Sequence, residues 1–528
     1  MAYRDLGTFL DALERHGQLV RVTVPVQADL EITEITDRVA KKGGPALLFE
    51  DVVGHRFPVA TNIFGSTERL KLAFEVTDLD ELGDRVAGVL SLVHQEPGIM
   101  ARLRTLPKLA RLASYLPKTV RTGPCKEVIE REKPSLSEFP VLRCWPEDGG
   151  RFLTLPLVFT KNPVTGVQNV GMYRLQVFDD RTTGMHWHLH KDGAQNFAES
   201  RRAGMPGPVG PDGLVPGEGE TEKDGRDRHS GRIPSRTAPE GRFEVAVALG
   251  GDPAVIYSAT APLPRDIDEM AFAGFLRQGS VDMVPCETVD LMVPAHSEAV
   301  LEGYVDPEER RVEGPFGDHT GFYSPADLYP VFHITCITRR RDPIYPATIV
   351  GRPPMEDAFL GKLTERVFLP LLRLQVPEVN DINLPPEGGF HNCVIVSIKK
   401  AYPGHARKVA HALWGMGQMM LSKFIVVLDE EVNVQDLREV AWRVLHNVDP
   451  ERDMFLSKGP LDVLDHSSPA PLYGSKMGID ATVKLPEEGH PRPWPRETVM
   501  SPEVVSLVSE RWLSYGFAPG DDPEGDKV

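Results

Sequence analysis

Two short stretches hold most of the side chains able to do chemistry. Asn169-Val-Gly-Met-Tyr-Arg174 and Met185-His-Trp-His-Leu-His-Lys191 put an amide, a glycine, an arginine, three histidines and a tryptophan into little more than twenty residues. A stretch serving only as core would read apolar. Gly171 is suited to a close approach of backbone to ligand, Arg174 to gripping a phosphate or carboxylate, and Asn169 with His190 to offering oxygen and nitrogen to a divalent metal. A polar hairpin with one satisfied histidine would read the same way.

A second cluster is Glu313-Gly-Pro-Phe-Gly-Asp318-His-Thr-Gly321. Two carboxylates in a Gly/Pro loop suit general acid and base work, because the loop can bury one and raise its pKa while the other stays ionised. A turn in which Asp318 caps its own backbone is the alternative. In Asp266-Ile-Asp-Glu269 the acids precede an apolar helical run, the pattern of an ordinary helix N-terminus. Glu269 gains another meaning only if it meets Asn169 and His190 in space. One carboxylate, one amide oxygen and one imidazole would then suit Mn2+ or Mg2+ holding a phosphate.

The elements that must position these groups read as three patterns. Leu6, Phe9, Leu10 and Leu13 fall at helical spacing, Gly17 ends the helix, and Val20, Val22 and Val24 alternate as a strand. Residues 31–42 repeat the helix and lead to a strand at 46–49, which makes an α/β module. A basic, proline-punctuated linker is expected over 107–124. From 127 to 338 the pattern is one of strands, at 155–160, 173–178, 243–249, 254–258 and 331–337, separated by Gly and Pro, as in a β-barrel or open sandwich. Residues 201–241, rich in Gly, Pro and charge, read as a long loop or insert. After Pro346 come a helix at 356–373, a strand at 393–398, a helix at 406–420 and a strand at 424–428, an order that implies a parallel sheet. No GxGxxG follows the first of these strands, so a dinucleotide site is not indicated.

At 528 residues two or three domains are expected. A net charge of -17 argues against a sequence-independent grip on nucleic acid or anionic lipid. The five cysteines are scattered without a CxxC, so neither a disulfide framework nor a zinc knuckle is suggested, and a reduced cytoplasm fits. The N-terminus lacks the basic-then-apolar run of a signal peptide, and no stretch of eighteen apolar residues occurs.

Six blocks, in order, resemble those of the UbiD family of decarboxylases: Asn169-Val-Gly-Met-Tyr-Arg-Leu-Gln176, Glu269-Met-Ala-Phe-Ala-Gly274, Glu313 to Gly321, Gly351-Arg-Pro-Pro354, Leu384-Pro-Pro-Glu-Gly388 and Gly474-Ser-Lys-Met-Gly-Ile-Asp-Ala-Thr482. The resemblance implies an α+β multidomain fold: an N-terminal α/β domain (1–125), a central split β-barrel that binds the flavin (126–340, with 201–241 as a flexible insert), a C-terminal α/β oligomerisation domain (341–500) and a helix and tail (501–528). It implies a non-oxidative, reversible carboxy-lyase using prenylated FMN with Mn2+ and usually K+. Carried over by motif, Asn169, His190 and Glu269 would ligate the metal. Thr154, Met172, Tyr173, Arg174, His186, Trp187, His188 and Lys191 would line the cofactor, with Lys423 towards its phosphate. Arg174, Glu313 and Asp318 would be the catalytic trio, with Glu313 as proton shuttle and Asp318 as its partner, the roles exchangeable.

Asp318 stands where cinnamate-type members carry Glu, as in the members acting on polyprenyl-hydroxybenzoate, which favours an aromatic acid made electron-rich by hydroxyls. The expected substrate is a hydroxybenzoate or hydroxynaphthoate of ubiquinone or menaquinone synthesis. The alternatives are an unprenylated aromatic or heteroaromatic acid in catabolism, or a flavin-binding oxidoreductase or scaffold. Expected partners are the aromatic acid, a flavin prenyltransferase as cofactor supplier, a membrane periphery reached through a prenylated substrate, and further copies of the chain as a homodimer or homohexamer. Nucleic acid is not expected.

Overall fold

The structure is a computed structural model and describes residues 3–93, 107–187, 192–203, 242–264 and 267–518. The first helix, Leu6–Arg15, starts where the Asp5 side chain accepts from the Thr8 amide and the Thr8 hydroxyl accepts from the Asp5 amide, a capping box that fixes its first turn. Its buried stripe is Leu6, Phe9, Leu10 and Leu13. Strand Leu19–Val22 then pairs in parallel with Ala46–Phe49 across the helix Glu31–Ala40. Val59–Thr61 and, from far along the chain, Tyr345–Pro346 complete a four-stranded sheet.

The central sheet is ordered Thr182–Gly184, Asp327–Arg339, Ala299–Glu313, Phe243–Leu249, Pro156–Lys161, Gln168–Met172, with Val128–Glu130 also on Asp327–Arg339. Among the described residues these pairings form an open path and do not close into a ring. Side-chain alternation divides the middle strand between two cores. Val245, Val247 and Leu249 pack on one side with Met185, Trp187 and Phe332, while Ala246 and Ala248 pack on the other with Met270, Phe272 and Leu276. The sheet is therefore buried on both faces.

In the last part, Glu356–Gln375 leads to a five-stranded sheet of order Val379–Asn383, Cys393–Ile398, Phe424–Asp429, Tyr473–Asp480, Met454–Pro460. Cys393–Ile398 and Phe424–Asp429 are parallel across the helix His405–Trp414, as the order of elements implies, and both outer strands are antiparallel. Among the described residues no helix is long and apolar enough to cross a membrane.

Four local expectations are corrected. The strand expected at 254–258 is the helix Pro253–Ser258: Asp252 accepts from the amides of Ala254 and Val255 and Pro253 stands at the first position, so capping chemistry overrides the β-branched residues. The strand expected at 173–178 is interrupted, with Gln168–Met172 before the break and Leu175–Gln176 after it, the latter paired with Phe152–Leu153. The segment 107–124 is not free chain: 107–113 is helical, and Lys118–Thr119 pairs in parallel with the strand Asp282–Pro285. The helix expected to reach 420 ends at Trp414, before the 3-10 turn Gly417–Leu421. Of the expected insert, 201–203 belong to the helix Asp192–Ala203 and 204–241 lie outside the described residues.

Candidate active site

The break after Met172 releases Tyr173 and Arg174 from the edge-strand ladder, and the Arg174 side chain reaches the end of the strand Ala299–Glu313. Arg174 Nε donates to Glu313 Oε1 at 2.9 Å, and Nη1 donates to Asp318 Oδ2 at 2.5 Å. The guanidinium also lies 4.6 Å from the centre of the Phe316 ring. One largely enclosed cation, with 9% of its side-chain surface exposed, thus holds two carboxylates. Both of them are buried.

The loop between the two acids is pinned from a neighbouring segment. Gly314 N donates to Gln176 Oε1 at 2.7 Å, Gln176 Nε2 donates to Gly149 O at 2.8 Å, and Gly149 N donates to Pro315 O at 2.8 Å. Asp148 accepts from Gly317 N at 2.8 Å and from Trp145 N at 2.8 Å. Glycine is required at 317 because a Cβ there would come within 2.2 Å of the Trp145 ring. Asp318 does close its own turn, its carbonyl accepting from Gly321 N at 2.9 Å, so the turn and the site are one structure.

His186 completes the group. Its Nδ1 lies 2.8 Å from Glu313 Oε2, and its ring stacks on Tyr329 at 4.1 Å. Burial lowers the pKa of this imidazole, so the ring is neutral and Nδ1–H is the donor to the carboxylate. Burial would raise the Glu313 carboxyl, but the His186 hydrogen bond and the Arg174 charge outweigh it and hold the pKa below the ordinary value. Asp318 is likewise held well down against its burial, by His319 and Arg174.

A second pair forms beneath the edge strand. Asp268, not Glu269, caps the helix Glu269–Leu276, accepting from Met270 N at 2.7 Å and Ala271 N at 2.9 Å. Glu269 instead meets Asn169, whose Nδ2 donates to its Oε1, and Val170 N donates to Oε2 at 3.4 Å. Asn169 Oδ1 is buried and has no hydrogen-bond partner among the described residues. An amide oxygen without a donor beside a carboxylate is a hard-oxygen pair that fits a divalent cation. His190 lies outside the described residues, as do His188 and Lys191.

Family models match most of the chain: the 3-octaprenyl-4-hydroxybenzoate carboxy-lyase N-terminal domain over 10–86, its Rift-related domain over 118–210 and 222–353, and its C-terminal domain over 358–481. The chain belongs to the UbiD family. It is a UbiD-type carboxy-lyase. An uncharacterized protein of Archaeoglobus fulgidus is 50% identical over 513 residues, 97% of this chain and 98% of that one. The UbiD-class enzyme HmfF from Pelotomaculum thermopropionicum in complex with FMN is 29% identical with a TM-score of 0.74, over 96% of this chain and 99% of that one. An evolved dimeric form of HmfF, in complex with prFMN, is 28% identical with a TM-score of 0.72, over 95% and 98%. The closed form of Sedimentibacter hydroxybenzoicus vanillic acid decarboxylase is 28% identical with a TM-score of 0.78, over 98% and 100%.

The remaining residues that the UbiD resemblance assigns to the cofactor are spread around these two groups. The buried Thr154 hydroxyl accepts from Thr348 N at 3.1 Å. Met172 is half-buried against the core that holds Met270, and Trp187 packs between Phe197 and Phe243 with its Nε1 buried and unpartnered among the described residues. The close approach at Gly171 is made by the Tyr173 ring rather than being left open for a ligand, since a Cβ at 171 would lie 2.4 Å from the Tyr173 hydroxyl. Lys423 is paired with Asp465 at 3.0 Å and with Ser467, outside both groups. Sequence reasoning placed His186 with the UbiD cofactor and missed its bond to Glu313. It also missed Gln176 and Asp148 as supports of the acid loop, although Gln176 stands inside a quoted motif.

Proposed function

We propose that the chain catalyses the non-oxidative, reversible decarboxylation of an aromatic carboxylic acid, a hydroxybenzoate or hydroxynaphthoate of the quinone-precursor kind, with prenylated FMN, Mn2+ and usually K+. The observation that carries this reading is the Arg174 guanidinium holding the buried Glu313 and Asp318 together. Neither a flavin oxidoreductase nor a scaffold needs that trio. Asn169 and Glu269, with His190, would hold the metal at the flavin phosphate. Thr154, Met172, Tyr173, His186, Trp187, His188 and Lys191 would line the ring system, and Lys423 would serve the phosphate end. The central sheet is the proposed split barrel, within domains spanning 1–125, 126–340 and 341–500.

When bound, the modified flavin supplies an acceptor for the electron pair left behind as CO2 departs. The protein's own residues do the rest. Arg174 holds the substrate carboxylate, which departs as neutral CO2 while the proton taken up at carbon neutralises the charge left behind, so product is held less tightly than substrate. A third negative charge arriving at one guanidinium raises the pKa of Glu313 beside it. Glu313 then takes up the proton that it returns to the ring carbon, with His186 fixing its carboxylate and Asp318 as partner. The turn Gly314–Asp318, pinned by Gln176 and Asp148, keeps both acids in reach.

An unprenylated acid is the second reading, supported by the likeness to vanillic acid decarboxylase. Assembly as a homodimer or homohexamer is supported by the helix Pro502–Arg511, which buries no residue and exposes Val504 and Leu507. Cytoplasmic placement is the reading that the five free cysteines favour.

The test is co-expression with a flavin prenyltransferase, followed by a panel of hydroxybenzoates and naphthoates, with and without a prenyl chain, read as CO2. Release of CO2 from one class names the substrate. Glu313→Gln is expected to retain the flavin absorbance and to lose both CO2 release and hydrogen exchange at the product carbon. A protein that takes up no modified flavin returns the chain to a scaffold.

A further inference from the structure

Decarboxylation consumes one proton for every CO2 released, and both acids beside Arg174 are held ionised. The proton must therefore be stored elsewhere. His186 is the neutral donor that fixes Glu313, and the other imidazole bonded to the pair of acids among the described residues is His319. Its Nδ1 lies 2.9 Å from Asp318 Oδ1, on the side of that carboxylate away from Arg174, and its backbone amide donates to the same oxygen at 2.8 Å. The ring stacks on Phe390 at 5.0 Å and stands edge-on to His391 at 5.4 Å, both from the segment that precedes Cys393–Ile398.

We propose that His319 is a positioning residue that holds Asp318 ionised between turnovers and stores the proton consumed in each one, reloading it from solvent on the side of Phe390 and His391. The proposal rests on the decarboxylase reading above. Every element packed on His319 contributes a facing group. Asp318 and, beyond it, Arg174 lie on its own loop side; Asp357 comes from the start of the helix Glu356–Gln375; His391 comes from the loop; and Asp462 lies 3.7 Å beyond His391 Nε2. His319 Nε2, His391 Nε2 and Asp357 Oδ2 are all buried and have no hydrogen-bond partner among the described residues. Two such atoms beside an imidazole whose own Nε2 is unpartnered are what a short chain of water would satisfy. The His319 side chain keeps 20% of its surface exposed although Nε2 itself is buried, so solvent reaches the edge of this ring, whereas Glu313 keeps none.

The electrostatics agree with the geometry. Burial alone would lower the pKa of His319, but the hydrogen bond and charge of Asp318, with the charges of Asp357 and Asp462, outweigh it and raise the value. His391, by contrast, is lowered by its burial and stays neutral. The proton balance closes. The imidazolium gives its Nδ1 proton to Asp318 Oδ1, leaving a neutral ring and a neutral acid; the substrate loses CO2 and gains that proton at carbon by way of the acids on Arg174. The ring, left with its proton on Nε2, turns to bring the vacated nitrogen towards the Phe390 and His391 side and takes up a solvent proton there, which restores the imidazolium. The substrate's one negative charge is neutralised by the one proton that enters from solvent, and CO2 leaves neutral.

His319→Asn tests this, because the asparagine amide reproduces the Nδ1–H donor and cannot store a proton. In the reconstituted enzyme, kcat is expected to fall at least about 10-fold with KM little changed, and the fall of kcat above the His319 pKa is expected to disappear. Apoprotein labelled with 13C at histidine provides a readout independent of turnover: the resonance absent from the variant is expected to titrate above free histidine. Should His319→Asn not fold, His319→Gln supplies the same assignment and kinetics. An unaltered kcat and pH profile, or a His319 resonance titrating below free histidine, overturns the proposal. Wild-type enzyme that releases no CO2 from any acid in the panel overturns the decarboxylase reading instead, and the two failures are distinct.

Discussion

His186 Nδ1 donates to Glu313 Oε2 across 2.8 Å, and the two residues are 127 apart in sequence. The strands bring them together: Gly184 pairs with Val331, and Asp327 at the near end of the same strand pairs with Glu313. His186→Phe keeps a flat ring against Tyr329 and removes the donor. Hydrogen bonds to charged groups contribute about 1.5–3 kcal/mol, which corresponds to a loss of roughly 10- to 100-fold in kcat. The measurement is hydrogen exchange at the product carbon against pH. Exchange at the wild-type rate would detach His186 from Glu313.

Asp268 and Glu269 are neighbours with separate duties, which gives a paired prediction. Glu269→Ala is expected to lose Mn2+ and flavin together, measured by metal analysis and absorbance, while circular dichroism is unchanged because the cap is intact. Asp268→Ala removes two cap hydrogen bonds and is expected to lower stability by about 1 kcal/mol with metal retained. Metal loss in the second variant and not the first would reverse the assignment.

Several of these elements were legible in the chain because they depend on local chemistry. Phe243–Leu249, Ala46–Phe49 and Cys393–Ile398 are apolar runs or alternations bounded by turn residues, and each has the expected boundaries. Pro253–Ser258 was misread because the hydroxyl-poor, β-branched run Ala254–Ile256 outweighed Asp252 and Pro253, whose backbone chemistry decides the matter. At the site, the motif blocks supplied the residues but not their contacts. That Asn169 meets Glu269 and that His186 bonds Glu313 depends on how strands and helix pack, and that Phe390 and His391 stand against His319 depends on a loop from the last sheet. Residue spacing carries neither.

Glu298 gives the protein a pH-dependent stability term. Burial raises its carboxyl to about 7 despite Arg340 beside it and the amide of Ile344, which donates to it at 3.0 Å. With a folded pKa above the unfolded value near 4.5, the folded chain binds more protons between the two. The contribution is therefore largest below about 4.5 and declines as pH rises towards 7, by on the order of 1–3 kcal/mol. Denaturant unfolding of wild type and Glu298→Gln at pH 5 and 7.5 reads it. The variant is expected to shrink the difference between the two pH values, and an equal difference in both proteins would place the effect at other carboxyls.

Gly171 and Tyr173 must be complementary in size. A Cβ at 171 would stand 2.5 Å from two ring carbons of Tyr173, and a ring carbon also lies 3.3 Å from where a Cβ at Gly193 would be, so the ring has little room to turn away. Overpacking of this kind costs about 1–3 kcal/mol, and Gly171→Ala is expected to lower the unfolding free energy by that amount and to weaken flavin binding as the ring shifts. Tyr173→Ala is expected to be destabilising through the cavity it leaves. In the double variant the new methyl group enters space that the ring has vacated, so the two losses should fall short of additivity by about 1 kcal/mol or more. Additive losses in stability and in flavin affinity would mean that Gly171 serves a ligand directly rather than the tyrosine packed upon it.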